Sequence, residues 1–458
     1  MGLSRTERIL RVFTDVRPGE GPTALVLFAN VFLILCAYYL VKPLREGWIA
    51  VSDVTGLSKM EVKAYSSFGQ SLLLLFVVGA YARLAGRLPR ARLIARATLF
   101  CMSNMVVFWF LQPDFFIENL PGAGIAFYLW VGMFGVFVVA QFWAFVADVY
   151  TQERGNRLLP LIAIGATSGA AFGSWITGLL VDSEEFVKKS LLLVALAPLA
   201  ASILLSRWAD RRGPLGSGSE ASPAPPAGAG ARRGALGMVL RSRYLLPVAA
   251  ITLLTNWVNT NGENLLFRVL QDSLAAAAAA AGISGDLAVL EFTRDGTTAF
   301  YGDFFLWVNV VALLLQALVA SRLLRYGGFG AILMLLPAIA LMSYGTMALL
   351  PVLAVIKIMK VAETATDYSI NNTARHVLWL PVSSEMKYKG KPTIDTLFVR
   401  IGDGLAALTV LVGVQALALS TEAFFAFTVA LVLVWLSLSV ATVREHARLS
   451  REAGLGAS

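Results

Sequence analysis

Four stretches of this chain place charged and amide side chains inside apolar sequence. In "AYYLVKPLREGW", residues 37–48, Lys42, Arg45 and Glu46 arrive after about twenty apolar residues, enough to cross a bilayer. "TNWVNTNGENLLFR", residues 255–268, presents Asn256, Asn259, Glu263 and Arg268. "PVLAVIKIMKVAETATDYSINNTARHVLWLP", residues 351–381, holds Lys357, Lys360, Glu363, Asp367, Asn371 and Arg375, and "TIDTLFVRIGDG", residues 393–404, holds Asp395, Arg400 and Asp403. An ionised side chain at a bilayer centre costs about 2.5 to 3.5 kcal/mol on insertion scales, so such groups pair or face a water-filled cavity. At about 100° per residue, the six polar residues from Lys357 to Arg375 share one sector of a continuous helix. Individually they read equally well as salt bridges between helices. As a set they would be a poor structural device, because desolvation offsets most of the attraction between buried ions. A hydrated pathway lined with fixed positive charge is the better reading. Lys42 and Arg45, one turn apart, form a site for a multivalent anion, with Arg suited to bidentate phosphate binding. The competing reading has both snorkel to headgroups beyond the helix. Against it, "GWIAVS" continues the apolar run, so the helix is expected to extend to about residue 50 with Trp48 as its interface anchor.

The elements that must carry these side chains are membrane helices. The 458 residues are 57% hydrophobic and only 15% charged, whereas about a quarter of a soluble chain is charged. Apolar runs recur about twelve times, each long enough for a hydrocarbon core of roughly 30 Å. They lie near 23–41, 66–82, 93–112, 122–148, 158–181 and 189–207, then 244–262, 302–320, 329–350, 352–374, 393–417 and 422–442. The expected fold is an all-α membrane protein with twelve transmembrane helices in two six-helix bundles, residues 1–208 and 243–458. They are joined by a flexible cytoplasmic linker, 209–242, rich in Pro, Gly, Ser and Ala. "YARLAGRLPRARLI" and "ASRLLRYGGFGAIL" occupy equivalent places in the two halves, as a duplication requires.

The net charge of +9 is distributed by topology, not toward nucleic acid. Arginines and lysines fill alternate loops, which places both termini in the cytoplasm of a cell whose inner membrane the chain spans. The expected partners are an anionic small molecule and membrane lipids, and the chain is expected to be a monomer. Asp148, at the end of the fourth span, is expected to pair with loop arginines, Arg83 and Arg87 among them, as an inner gate. Gly165, Gly169 and Gly173 stand four apart, the spacing that lets a neighbouring backbone approach. Residues 263–300, with their seven consecutive alanines, are read as a helical surface insert without chemistry. Cys36 and Cys101, each inside a span, form neither a disulfide framework nor a CxxC metal site. No P-loop, HExxH or GxSxG motif is present, so neither an enzyme nor a cofactor is expected.

Residues 368–404, "YSINNTARHVLWLPVSSEMKYKGKPTIDTLFVRIGDG", resemble the non-mitochondrial ATP/ADP antiporters of plastids and energy-parasitic bacteria. In that family a Tyr-Ser helix end leads through an Ile-Pro-Leu-like turn to Lys-x-Lys-Gly-Lys and an Ile-Asp helix. "YYLVKPLREGW" is similar to its first-helix Arg-x-x-Lys-Asp, with Lys42, Arg45 and Glu46 in those places, and "QFWAFVADVY" to its Phe-Trp-Gly-Phe segment. "NTNGENLLFR" places Glu263 and Arg268 on its Glu and Lys, although the asparagine spacing differs by one residue. Asn372 stands where the family has an acidic residue, Arg375 where it has Lys and His376 where it has Glu. The resemblance implies a major facilitator fold whose bundles rock about a midplane site. It also implies exchange of ATP/ADP-like anions bound by Lys42, Arg45, Lys357, Lys360 and Arg375. Glu46, Glu263, Glu363, Asp367 and Asn371 complete the site, with Glu263, Glu363 and Asp367 pairing with the cations when it is empty. The alternative is a proton-coupled symporter of a smaller organic anion or peptide-like solute, with Glu363 or Asp367 carrying the proton.

Overall fold

The structure is a computed structural model, and it describes residues 7, 14, 16–85, 90–112, 122–150, 152–181, 183, 190–211 and 229–452. All regular structure among them is helical. The long helices are α1 (Gly21–Ala50), α2 (Lys59–Ala85), α3 (Arg90–Phe110), α4 (Ala123–Val149), α5 (Gln152–Val181) and α6 (Leu191–Arg211). They continue with α7 (Leu245–Ala280), α8 (Asp286–Leu315), α9 (Ser321–Leu349), α10 (Leu353–Thr366), α11 (Met386–Ala416) and α12 (Thr421–Glu452). Each expected span falls on one of them. By length and apolarity eight helical stretches among the described residues can cross a membrane, or nine if Gly234–Arg241 and Leu245–Ala280, bent by 98°, count as one. α8 and α9 lie within one such stretch, Asp286–Leu349. α10 has 14 residues and carries Lys357, Lys360 and Glu363, so its composition alone does not mark it as a span. Within the Pro/Gly-rich segment between α6 and α7, residues 229–241 are helical, and 212–228 lie outside the described residues.

Two compact units share these helices. The first comprises residues 1–55, 72–222 and 278–310, the second 56–71, 223–277 and 311–458. In the first, α1 packs on α4, α5 and α6, and its apolar side chains join theirs in one core through Leu27, Val31, Phe127, Phe134, Ile162 and Leu199. The glycine stripe of α5 brings its backbone close to that of α1. A Cβ at Gly165, Gly169 or Gly173 would come within 2.8, 2.2 and 2.3 Å of the carbonyl oxygens of Phe28, Phe32 and Cys36. The spacing of four therefore serves backbone approach. α1 also contains Pro43, which has no N–H to give the Tyr39 carbonyl one turn back. The Thr177 hydroxyl of α5 lies 3.4 Å from that oxygen, 3.3 Å from the Leu40 oxygen and 3.1 Å from that of Gly173. A neighbouring hydroxyl thus covers a carbonyl that lipid could not.

In the second unit α9 packs on α10 and α12. The Tyr244 hydroxyl donates to the Leu378 carbonyl at 2.6 Å and the Trp257 indole to Thr409 at 2.9 Å, joining α7 to the segments beyond it. Ser58 and Glu61 form a reciprocal capping box at the start of α2: Ser58 N donates to Glu61 Oε2 at 2.8 Å, and Glu61 N to Ser58 Oγ at 3.4 Å. Among the described residues of this unit, π-helical turns lie at Gln316–Ala320, Asp367–Asn371, Met386–Gly390, Ile394–Phe398 and Val412–Ala416. Residues 263–300 are largely helical as expected, but the expectation of a surface insert is corrected. Those residues are the facing ends of α7 and α8, with a largely exposed turn between them, and Tyr301, Phe304 and Phe305 just beyond are buried.

Candidate functional site

α1 runs to Ala50, so Lys42, Arg45 and Glu46 lie within it. Their relative exposures are 8%, 8% and 1%, which sets snorkelling aside. Trp48 is not an interface anchor: it is buried, with its ring 4.2 Å from that of Phe127. The Arg45 guanidinium donates to Glu46 Oε1 through Nε at 3.0 Å and Nη2 at 2.5 Å, and lies 4.4 Å from the centre of the Tyr128 ring on α4. Lys42 Nζ lies 3.9 Å from the centre of the Phe305 ring and 5.0 Å from that of Tyr39. Adjacent residues on a helix point about 100° apart, and only the length of the arginine side chain lets it fold back onto Glu46. Both cations thus lie over aromatic faces, and Arg45 is bonded to Glu46. Phe305 and Tyr128 carried no signal in the sequence, because one aromatic in a membrane helix looks like any other until the packing is known.

In the second unit α10 presents Lys360 and Glu363, 0% and 3% exposed. Lys360 Nζ donates to Glu363 Oε2 at 2.9 Å and to Asn259 Oδ1 of α7 at 3.2 Å, and lies 3.3 Å from the Tyr344 hydroxyl of α9. That hydroxyl is 3.1 Å from both Glu363 Oε1 and the Val258 carbonyl oxygen. Gly262 makes the room, since a Cβ there would fall 2.0 Å from the Tyr344 hydroxyl and 2.8 Å from Lys360 Nζ. The π turn Asp367–Asn371 then changes the helix register, so the single polar face expected from Lys357 to Arg375 does not continue unbroken. Asn371 donates to Asp367 at 2.6 Å. Lys357, Asp367 and Glu263 are half-buried, and Arg375 is exposed.

A second polar knot in this unit went unassigned in the sequence. Asp403 of α11 accepts from Arg400 at 3.0 Å, from Thr260 at 3.4 Å, and from Ser71 and Asn256. Its spacing from Arg400 was visible, but its partners come from α2 and α7, distant in the chain. The gate expected at Asp148, Arg83 and Arg87 falls on side chains outside the described residues. Two arginines that open α5 are described: Arg157 donates to both oxygens of Glu20, at 2.8 and 3.0 Å, and Arg154 Nε lies 3.3 Å from Glu20 Oε1. Among the described residues no cluster of His, Cys, Asp and Glu could hold a metal, and both cysteines are free and buried.

Residues 335–446 match the family model of the TLC ATP/ADP transporter, an interval that contains α10 with Lys357, Lys360 and Glu363. ADP,ATP carrier protein 1 of Chlamydia pneumoniae is 24% identical over 129 residues, which cover 24% of this chain and 25% of that protein. The match therefore spans a quarter of that relative's length. Among solved structures, the human organic anion transporter MFSD10 (TETRAN) superposes with a TM-score of 0.59 at 15% identity, over 92% of this chain and 100% of its own. A point mutant of the nucleoside transporter NupG gives 0.57 at 13%, over 92% and 99%. A POT family transporter in complex with 5-aminolevulinic acid gives 0.61 at 13%, over 93% and 96%. At these identities the likeness is one of fold: the chain is an all-α membrane protein with the fold of these transporters.

Proposed function

We propose that this protein is a secondary transporter that exchanges nucleotides, ATP- or ADP-like anions, across a bacterial inner membrane by alternating access, with both termini cytoplasmic. The observation that carries the reading is the buried Lys360, with its Glu363, Tyr344 and Asn259 partners, inside the interval matched by the ATP/ADP transporter model. Lys42 and Arg45 add two more buried cations in a second helix. Such cations are worth their insertion cost when they meet an anionic cargo in a site shielded from bulk water. Glu363 and Glu46 then act as internal counter-ions that hold the cations while no phosphate is present. Lys357, Glu263, Asp367, Asn371 and Arg375 border the same helices and complete the proposed binding set, while Asp148 with Arg83 and Arg87 remains the proposed gate.

The test is exchange in liposomes. Purified protein is reconstituted, the vesicles are loaded with ATP, ADP or phosphate, and external labelled nucleotide is followed. Uptake that depends on internal nucleotide is expected. Uptake of a small organic anion that follows an imposed pH gradient and ignores internal nucleotide would instead establish the proton-coupled alternative. No exchange with any nucleotide would remove the assignment.

A further inference from the structure

The interior of the first unit holds polar groups that the proposed cargo site does not use. Between α1, α3, α4 and α6 lies a cavity of about 10 Å³. Gln141 of α4, Thr98 of α3, and Ser202 and Ser206 of α6 line it, beside the apolar side chains of Phe142 and Phe145. Gln141 is 2% exposed, and neither its Oε1 nor its Nε2 has a hydrogen-bond partner among the described residues. Asn30 of α1 donates through Nδ2 to Ser206 Oγ at 2.7 Å, which leaves the Ser206 hydroxyl its own proton to give. Ser202 donates to the Leu199 carbonyl at 2.8 Å, so its oxygen keeps the capacity to accept.

A buried amide left without partners is expensive, and native structures pair such groups with protein or with ordered water. The size and chemistry of the cavity decide which ligand could do so here. A single water needs about 10 to 15 Å³ and two to four polar partners, and nothing larger fits. Among the described residues no charged side chain lines the cavity, so neither a cation nor an anion would find a counter-charge. A cation would also face the Gln141 N–H groups as well as its oxygen, and an anion the reverse. Water both donates and accepts, as an amide carrying one group of each kind requires. We propose that this cavity is a binding site for one ordered water molecule, held by the Gln141 amide and the Ser206 hydroxyl. The water joins α4 to α6 and, through the Asn30–Ser206 bond, to α1. α1 carries Lys42 and Arg45, so the water helps to set the helix that presents them.

The experiment generates hydroxyl radicals by X-ray radiolysis of water in the purified full-length protein and reads side-chain oxidation by mass spectrometry, in wild type and in Gln141→Met. A bound water yields radicals where it sits, so a buried ring beside it is oxidised although bulk solvent does not reach it. Phe142 and Phe145, each 3% exposed, border the cavity, whereas Phe127, 0% exposed, packs on Trp48. Phe142 and Phe145 are expected to be oxidised several-fold faster than Phe127 in the wild type, and to fall to its rate in Gln141→Met. Oxidation of both no faster than that of Phe127, or undiminished in Gln141→Met, overturns the water site. Loss of the labelling when sodium or potassium salt replaces choline salt would make the occupant a cation and overturn it as well. Should Gln141→Met fail to fold, the wild-type comparison with Phe127 decides. Thermal melting gives a second readout. With the water bound, Gln141→Met loses hydrogen bonds and melts below the wild type. An equal or higher melting temperature would mean that the amide has no partner in the wild type, and overturns the proposal.

Discussion

Lys360 and Glu363 separate what a buried ion pair does for stability from what it does for cargo. Removing one partner of such a pair strands the other and costs about 3 to 5 kcal/mol, whereas replacing both with neutral groups of similar size is often nearly neutral. Lys360→Met is therefore expected to lower thermal stability in detergent sharply, because Glu363 keeps only the Tyr344 hydroxyl at 3.1 Å. Lys360→Met combined with Glu363→Gln is expected to recover most of that loss yet remain deficient in nucleotide exchange. A double variant that is stable and exchanges normally would show the pair to be structural. The pair was legible as two charges three apart in an apolar run. Tyr344 and Asn259 were not legible as its partners, because they come from helices whose rotation the sequence does not fix. The same holds at Asp403, where Ser71 and Asn256 become neighbours only through packing.

Helices are joined here by two kinds of contact, and each makes a prediction. Along α5, Gly169→Ala would drive a Cβ to within 2.2 Å of the Phe32 carbonyl, so α1 and α5 must separate; overpacking of this kind costs about 1 to 3 kcal/mol. Gly178, on the same helix, has nothing within 4 Å, and Gly178→Ala is expected to melt like the wild type. Equal melting of the two variants would refute a role for the stripe in close approach. The spacing of four announced this contact, since small residues on one face need no tertiary context to be recognised. The π turns were not announced: they add a residue per turn without any fixed residue signature, which is why Arg375 is exposed where periodicity had grouped it with Lys360. At the start of α1, burial raises the Glu20 pKa, but Arg157 and Arg154 with the Arg17 N–H outweigh it and hold the carboxyl below its usual range. A carboxylate with a depressed folded-state pKa contributes stability that is complete above its unfolded pKa of about 4.3 and is lost as pH falls through the lower folded value. The melting-temperature gap between wild type and Glu20→Gln is thus expected to be constant near neutrality and to close below about pH 4. A gap that persists undiminished at pH 3 would mean the clamp does not depend on the Glu20 charge.

For the molecule as a whole, the class was legible and the grouping of its parts was not. Apolar runs repeat whatever the packing, so a helical membrane protein followed from composition. The assignment of residues 56–71 to one unit and 278–310 to the other depends on contacts between distant stretches. Through that grouping residues 278–310 bring Phe305 beside Lys42. On the proposed exchange reading, the internal counter-ions supply a physical basis for coupling the two directions of transport. Arg45 is held by Glu46 and Lys360 by Glu363, at 2.5 and 2.9 Å. Cargo phosphates compete for those cations and loosen the pairs, and a ligand speeds a transition only when it binds the transition state better than the starting state. Each 1.36 kcal/mol by which cargo lowers the barrier to reorientation is tenfold in rate. Uptake of labelled ADP into vesicles preloaded with unlabelled nucleotide is therefore expected to exceed uptake into empty vesicles by about tenfold or more. Glu363→Gln, which removes one internal counter-ion, is expected to reduce that ratio by speeding entry into empty vesicles. Equal initial rates into loaded and empty vesicles for the wild type would mean that the empty carrier returns as fast as the loaded one, and that the counter-ion pairs do not enforce exchange.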